Sequence, residues 1–149
     1  MSDGAMGPAG DSQSLISEGL SLEDRYRIVK LIGRGGMGEL WLAIDRKLRV
    51  EVALKTIHTH LFSDEQELEL LRREVLAARQ VVSPNVCRIF DLVEVDGHQL
   101  VLMEYVDGAT LSDLLRETGG VEIQRASDIA SQFLAGLDAV HRAGLVHRD

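Results

Sequence analysis

Residues Leu31–Lys55 read LIGRGGMGELWLAIDRKLRVEVALK, and the fold depends on how this stretch is taken. Gly33, Gly35 and Gly38 stand at G-x-G-x-x-G spacing. Glycine tolerates φ > 0 and close backbone approach, so such a loop can lay N–H groups over phosphate oxygens. The same spacing opens dinucleotide-binding βαβ units, which require a helix at the third glycine and an acid about 20 residues on. Here Gly38 is followed by Glu39-Leu40-Trp41-Leu42-Ala43-Ile44, a short and mostly apolar run closed by Asp45-Arg46-Lys47. That is a strand and a turn. Val50–Lys55 is a further β-branched, apolar run, so the stretch predicts a strand hairpin folded over its own loop. Strand alternation puts Leu40 and Leu42 on one face of their strand, and Val50, Val52 and Leu54 on one face of the next. Ala53 and Lys55 then point together to the opposite side. A small side chain leaves room for a flat ring, and the lysine beside it reaches phosphates.

Working outward, Tyr26–Ile32 is the strand that enters the loop. Before it, Asp3, Asp11, Glu18 and Glu23 have no basic partner and the first half is rich in glycine and serine. This predicts a disordered tail over residues 1–25, with Leu15-Ile16 and Leu20–Leu22 packing loosely at most. Gly4-Ala5-Met6 fits an expression scar within residues 1–7. Downstream, Ser63 and Gln66 make a capping box for a helix whose stripe is Leu68, Leu71, Val75 and Ala78. The helix stops before Ser83-Pro84. Glu74 lies beside that stripe, and by itself such a residue is a solvated helix position. Val86–Val93 and Gln99–Met103 flank a D-G turn and form a hairpin. The expectation is an α+β lobe over residues 26–103, five antiparallel strands with one main helix. A connector over residues 104–109 follows. Thr110 and Asp113 cap a short helix, Leu111–Arg116, broken by Gly119-Gly120. A longer helix runs from Ile123 to Ala143, its apolar stripe including Ile129, Phe133, Leu134, Leu137 and Val140, with Gly144 at its C′ position. Residues 110–149 thus read as the start of a second lobe.

Composition sets limits. The 149 residues are 45% apolar or cysteine and carry a net charge of −8, which disfavours nonspecific nucleic-acid binding. No run approaches the roughly 20 apolar residues of a membrane span. The single cysteine, Cys87, excludes an internal disulfide and a Cys-rich metal site. The N-terminus has no apolar core of the kind that makes a secretory signal, which favours the cytoplasm. His58, His60, His98 and His141 show no metal-ligand grouping.

The quoted stretch resembles the nucleotide-binding loop and following strands of a protein kinase, and IGRGGMGELWLA resembles the eukaryotic-like serine/threonine kinases of bacteria in particular. VALK is similar to the family's V-A-I-K strand. Further signatures follow in order: Glu74 in LLRREV, the MEYVDG linker at Met103–Gly108, and His147-Arg148-Asp149. The resemblance covers Tyr26–Asp149, about half of a kinase domain.

The resemblance implies ATP and Mg²⁺ as cofactors and Ser/Thr hydroxyls of proteins as acceptors. It implies that Ile32, Gly33, Arg34, Gly35, Gly36, Met37 and Gly38 cover the nucleotide. Ile32, Leu40 and Ala53 would enclose the adenine, with Cys87 and Met103 at the rear of the pocket. Glu104 and Val106 would offer backbone groups to the adenine edge. Lys55 would meet the α/β-phosphates and pair with Glu74, while Asp149 would accept the hydroxyl proton. His147, Ala78 and Ile89 match parts of the family's hydrophobic spine, and Arg148 matches the arginine that often contacts a phosphorylated activation segment. The catalytic-loop Asn and the D-F-G Asp that hold the metal are expected beyond residue 149, and the 149 residues alone are expected to be inactive. A catalytically dead binding module is the alternative, against which the intact Lys55, Glu74 and Asp149 argue. The long helix's apolar stripe points to self-association of these residues in isolation. A membrane anchor elsewhere would place the domain on the cytoplasmic side.

Overall fold

The structure, a computed structural model, describes residues 16–35, 38–57 and 65–147. Nine elements follow in chain order: β1 Ser21–Leu22, β2 Tyr26–Gly35, β3 Gly38–Asp45, β4 Val50–Thr56, α1 Glu65–Ala78, β5 Ile89–Val95, β6 His98–Glu104, α2 Leu111–Thr118 and α3 Ile123–Arg142. The strands make one antiparallel sheet in the order β1-β2-β3-β4-β6-β5. The glycine stretch is the expected hairpin, with Gly35 directly opposite Gly38. Gly36 and Met37 lie outside the described residues, as do the capping Ser63, His58 and His60.

The sheet has six strands rather than five, because residues 16–25 join it. Ser21 pairs with Arg27 and Leu22 with Tyr26, and Ile16 and Leu22 are buried in the core. The turn between β1 and β2 holds Glu23 and Asp24 at φ of 50° and 55°, the left-handed geometry of a tight hairpin. Asp24 tolerates that conformation but Glu23 does not favour it, and no glycine follows them to give the signal that Asp96-Gly97 gives. Burial of Ile16 and Leu22 supplies the offset. Residues 16–25 are therefore part of the folded sheet rather than of the disordered tail expected over residues 1–25, and residues 1–15 lie outside the described residues.

Alternation along the strands builds the core. Trp41, Ala43, Val52, Leu54, Leu100 and Leu102 meet Ile16, Leu22, Tyr26 and Ile28 in one buried cluster. Asp45 closes the β3–β4 turn from inside: its Oδ1 accepts the N–H groups of Lys47 and Leu48, both at 2.9 Å. Its Oδ2 accepts Arg25 Nε at 3.0 Å and Nη2 at 2.7 Å. At the other end of the sheet the strands of the second hairpin run further than expected, to Val95 and from His98. The two-residue turn between them holds Asp96 and Gly97 at φ of 50° and 76°. Val86–Arg88 lies before that hairpin and is not strand.

α1 packs on β5 and buries Val75. α2 starts as its sequence requires, with Thr110 Oγ1 accepting the Asp113 N–H at 3.0 Å. It runs two residues further than expected and ends at Gly119, φ 68°. α3 has Gly144 just past its end at φ 76°. It touches the upper lobe where Gly136 lies under the backbone of Asn85. Of its apolar stripe, Phe133 and Leu134 are 67% and 62% exposed, while Ile129, Leu137 and Val140 are half-buried.

Candidate functional site

Strand register decides which side chains meet. Gly33 is opposite Leu40, Leu40 opposite Lys55, and Lys55 opposite Val101. Two residues along, Leu42 is opposite Ala53, and Ala53 opposite Met103. Directly opposed residues share a face, so Leu40, Ala53, Lys55 and Met103 form one patch. It lies on the reverse of the face that carries Trp41, Leu54 and Leu102. Ala53 is buried, while Leu40, Lys55 and Met103 are half-buried. The patch is thus a small apolar floor with a cation at its edge, and the glycine hairpin begins directly beside that cation.

Close packing explains one of the glycines. Gly38 has φ 144°, and a Cβ there would stand 1.9 Å from the carbonyl oxygen of Thr56. No other residue fits without displacing the end of β4. Gly33 and Gly35, by contrast, have open space where a Cβ would be. The described fold does not require glycine at either position on steric grounds. Ile32 is exposed near the same end of β2.

The connector after β6 is partly committed. The Glu104 N–H donates to Arg88 O at 2.8 Å, and the Glu104 carboxylate accepts the Arg88 N–H at 3.1 Å. Cys87 Sγ donates to the Glu104 carbonyl at 3.2 Å. Cys87 as a whole is exposed, but desolvation at its sulfur and then the charge of Glu104 raise the thiol's pKa, so the sulfur stays protonated and a donor. A carbonyl oxygen has two lone pairs, so Glu104 O keeps one for a further donor. Val106 is 65% exposed, and among the described residues its main-chain groups make no backbone hydrogen bond. The connector therefore leaves the Val106 main-chain groups and one lone pair of Glu104 O without a backbone partner among the described residues.

Other residues singled out in the sequence are not brought together. Glu74 sits on the exposed side of α1, and among the described residues no ion pair joins it to Lys55. The pairing implied by the resemblance would require Glu74 to turn inward toward β4. Ala78 and Ile89 are half-buried and His147 is exposed. Arg148 and Asp149 lie outside the described residues. Arg34 lies on the Trp41 face of the hairpin, away from Lys55, where its Nε meets Glu39 Oε1 at 3.0 Å. Sequence reading did not single out Glu39 or Thr56, which hold that hairpin down, because a lone acid and a lone threonine in strands carry no signal of their own.

Among the described residues, no group of three or more His, Cys, Asp or Glu side chains is arranged to hold a metal ion. No helix of the described residues is long and apolar enough to cross a membrane.

Comparison with known proteins agrees with this geometry. Residues 26–149 match the protein kinase domain family. The chain is 37% identical over 131 residues to a probable serine/threonine-protein kinase, pknA2, of Bifidobacterium longum, covering 86% of this chain and 17% of that protein. It is 35% identical over 136 residues to the serine/threonine-protein kinase PknA of Mycobacterium tuberculosis, covering 88% and 32%. The crystal structure of the Mycobacterium tuberculosis PknI kinase domain superposes with a TM-score of 0.75 at 25% identity, over 90% of this chain and 54% of that one. The chain therefore spans 17% and 32% of these curated relatives and about half of the solved kinase domain. A glycine hairpin over a lysine-edged floor, a matching family over residues 26–149 and relatives of one kind lead to one conclusion: the chain belongs to the protein kinase family, among its bacterial serine/threonine members.

Proposed function

We propose that the protein containing these residues is an ATP-dependent kinase that transfers the γ-phosphoryl group to serine or threonine hydroxyls of other proteins. The observation that carries this reading is the register Gly33–Leu40–Lys55 beside Leu42–Ala53–Met103. It sets a cation beneath the start of a glycine hairpin and an apolar floor next to it, the two halves of a site for a nucleotide triphosphate.

In this reading the adenine lies on Ala53 and Leu40, under Ile32, with Cys87 and Met103 behind it. Its edge meets the Glu104 carbonyl and the Val106 N–H. The N–H groups of Gly33–Gly38 cover the phosphates, and Lys55 neutralises charge that grows as the phosphoryl group leaves. Glu74 steadies Lys55 once α1 turns it inward. Asp149 accepts the proton of the attacking hydroxyl. Bound magnesium would screen the phosphate oxygens, but the described residues are not built to hold it. The metal-binding Asn and D-F-G Asp belong to sequence outside these 149 residues, which by themselves transfer no phosphate. The domain works in the cytoplasm, or on the cytoplasmic side of the membrane where another part of the protein carries an anchor.

Phosphate transfer from labelled ATP to a generic protein substrate, measured with the full-length protein and its Lys55→Met variant, tests this. Removing one charge that acts in the transition state should lower kcat by about 100-fold or more, with a smaller loss of nucleotide affinity. Glu74→Gln should impair the same step less. Turnover of Lys55→Met close to wild type would overturn the assignment.

A further inference from the structure

The arms of the glycine hairpin are tied together on the face turned away from Lys55. Arg34 and Glu39 are directly opposed, and Arg34 Nε meets Glu39 Oε1 at 3.0 Å. The second carboxylate oxygen, Oε2, accepts the Trp41 Nε1–H at 3.1 Å. The main chain of Glu39 is held too: its N–H donates to Thr56 Oγ1 at 2.8 Å, and that hydroxyl lies 3.3 Å from Glu39 O. Trp41 and Thr56 are buried, and Gly38 is seated on the Thr56 carbonyl. One residue thus joins the entering arm, the leaving arm, the core indole and the end of β4.

We propose that Glu39 is a positioning residue for nucleotide binding, holding the two arms of the glycine hairpin, Arg34-Gly35 and Gly38-Glu39, in register before ATP arrives. The inference rests on the kinase reading above and adds a residue that touches neither nucleotide nor metal. Its physical basis is preorganisation: a loop that must be ordered during binding subtracts that cost from affinity. An isolated surface ion pair would do little. This pair differs because the acid is only 14% exposed while the arginine is 66% exposed, so the anchored partner is the acid. Arg34 is the movable half, and Glu39 ties it to Trp41 and Thr56.

The test uses steady-state kinetics and ATP calorimetry on the full-length protein. An interaction of this kind is worth roughly 1 kcal/mol, so Glu39→Ala should raise KM or Kd for ATP about five-fold. Its kcat should stay within about two-fold, because the interaction acts on binding rather than on the transferring group. Glu39→Gln keeps an acceptor for Trp41 and should fall between wild type and Glu39→Ala. Arg34→Ala should weaken ATP binding, and Arg34→Ala/Glu39→Ala should be no worse than Glu39→Ala, as expected when two residues act through one contact. An unchanged ATP constant in folded Glu39→Ala, strictly additive losses, or equal loss across KM and kcat would each overturn the proposal. Loss of transfer in Lys55→Met alongside an unaltered Glu39→Ala removes this inference and leaves the kinase reading intact. If the wild type binds ATP without transferring phosphate, the calorimetric constants decide the matter. If it binds no ATP, both readings fall.

Discussion

Gly136 of α3 lies so close under Asn85 that a Cβ there would stand 2.6 Å from the Asn85 main-chain oxygen. Gly136 is the one buried residue of α3 among those described, so this contact joins the helix to the upper lobe. Gly136→Ala should gain about 1 kcal/mol from helix propensity and lose about 1–3 kcal/mol from overpacking against a rigid backbone atom. A net loss is expected, measured as a lowered denaturant midpoint of the full-length protein's kinase domain. An equal or raised midpoint would show that the loop over α3 yields freely.

The Asp45 carboxylate is buried and accepts four hydrogen bonds, two from Arg25 and one each from Lys47 and Leu48. Burial alone would raise its pKa, but the Arg25 hydrogen bond and the two backbone N–H groups outweigh this and hold it below the usual carboxylate range. A depressed folded-state pKa means stability that is fully present above the unfolded value, about 3.9, and lost as pH falls through the folded one. The contribution should therefore be flat from neutrality to about pH 5 and decline below about pH 4. Asp45→Asn should cost about 2–3 kcal/mol at pH 7 and flatten the acid limb of stability against pH. An acid limb unchanged by the substitution would assign it to other carboxylates.

Gly38 should tolerate nothing larger. Its φ of 144° and the 1.9 Å gap to Thr56 O mean that Gly38→Ala must push the hairpin away from β4. ATP affinity and melting temperature should both fall. Gly33→Ala and Gly35→Ala have open space and should leave the melting temperature near wild type. Thermal melts of the three variants, run side by side, separate the glycine the fold needs from those it leaves open.

Residues 1–149 prepared alone should associate as concentration rises, because Phe133 and Leu134 are well over half exposed on α3. Light scattering against concentration reads this directly, and Phe133→Glu with Leu134→Lys should reduce it. A monomer at every accessible concentration would show that the stripe is covered from within.

The hairpin reading of Leu31–Lys55, the antiparallel lobe, both capped α2 ends and the pairing of Ala53 with Lys55 on one face were all legible in the sequence. Each rests on local rules: glycine spacing, strand alternation, a capping threonine. Local rules read Glu74 as a solvated helix position and only the family resemblance matched it to Lys55; whether a helix turns a given side chain inward depends on packing across elements. In this structure α1 leans on β5 and Glu74 faces outward. The sixth strand was hidden for a similar reason. Ile16 and Leu22 look like scattered apolar residues in a polar tail until Tyr26, Ile28 and Trp41 give them a surface to bury against. The acid and threonine that hold the glycine hairpin were equally silent, since Glu39 acquires its partners only when register brings Arg34 opposite and Thr56 alongside. Short-range chemistry is written along the chain, whereas contacts between residues far apart in sequence exist only once burial has chosen one arrangement of the strands.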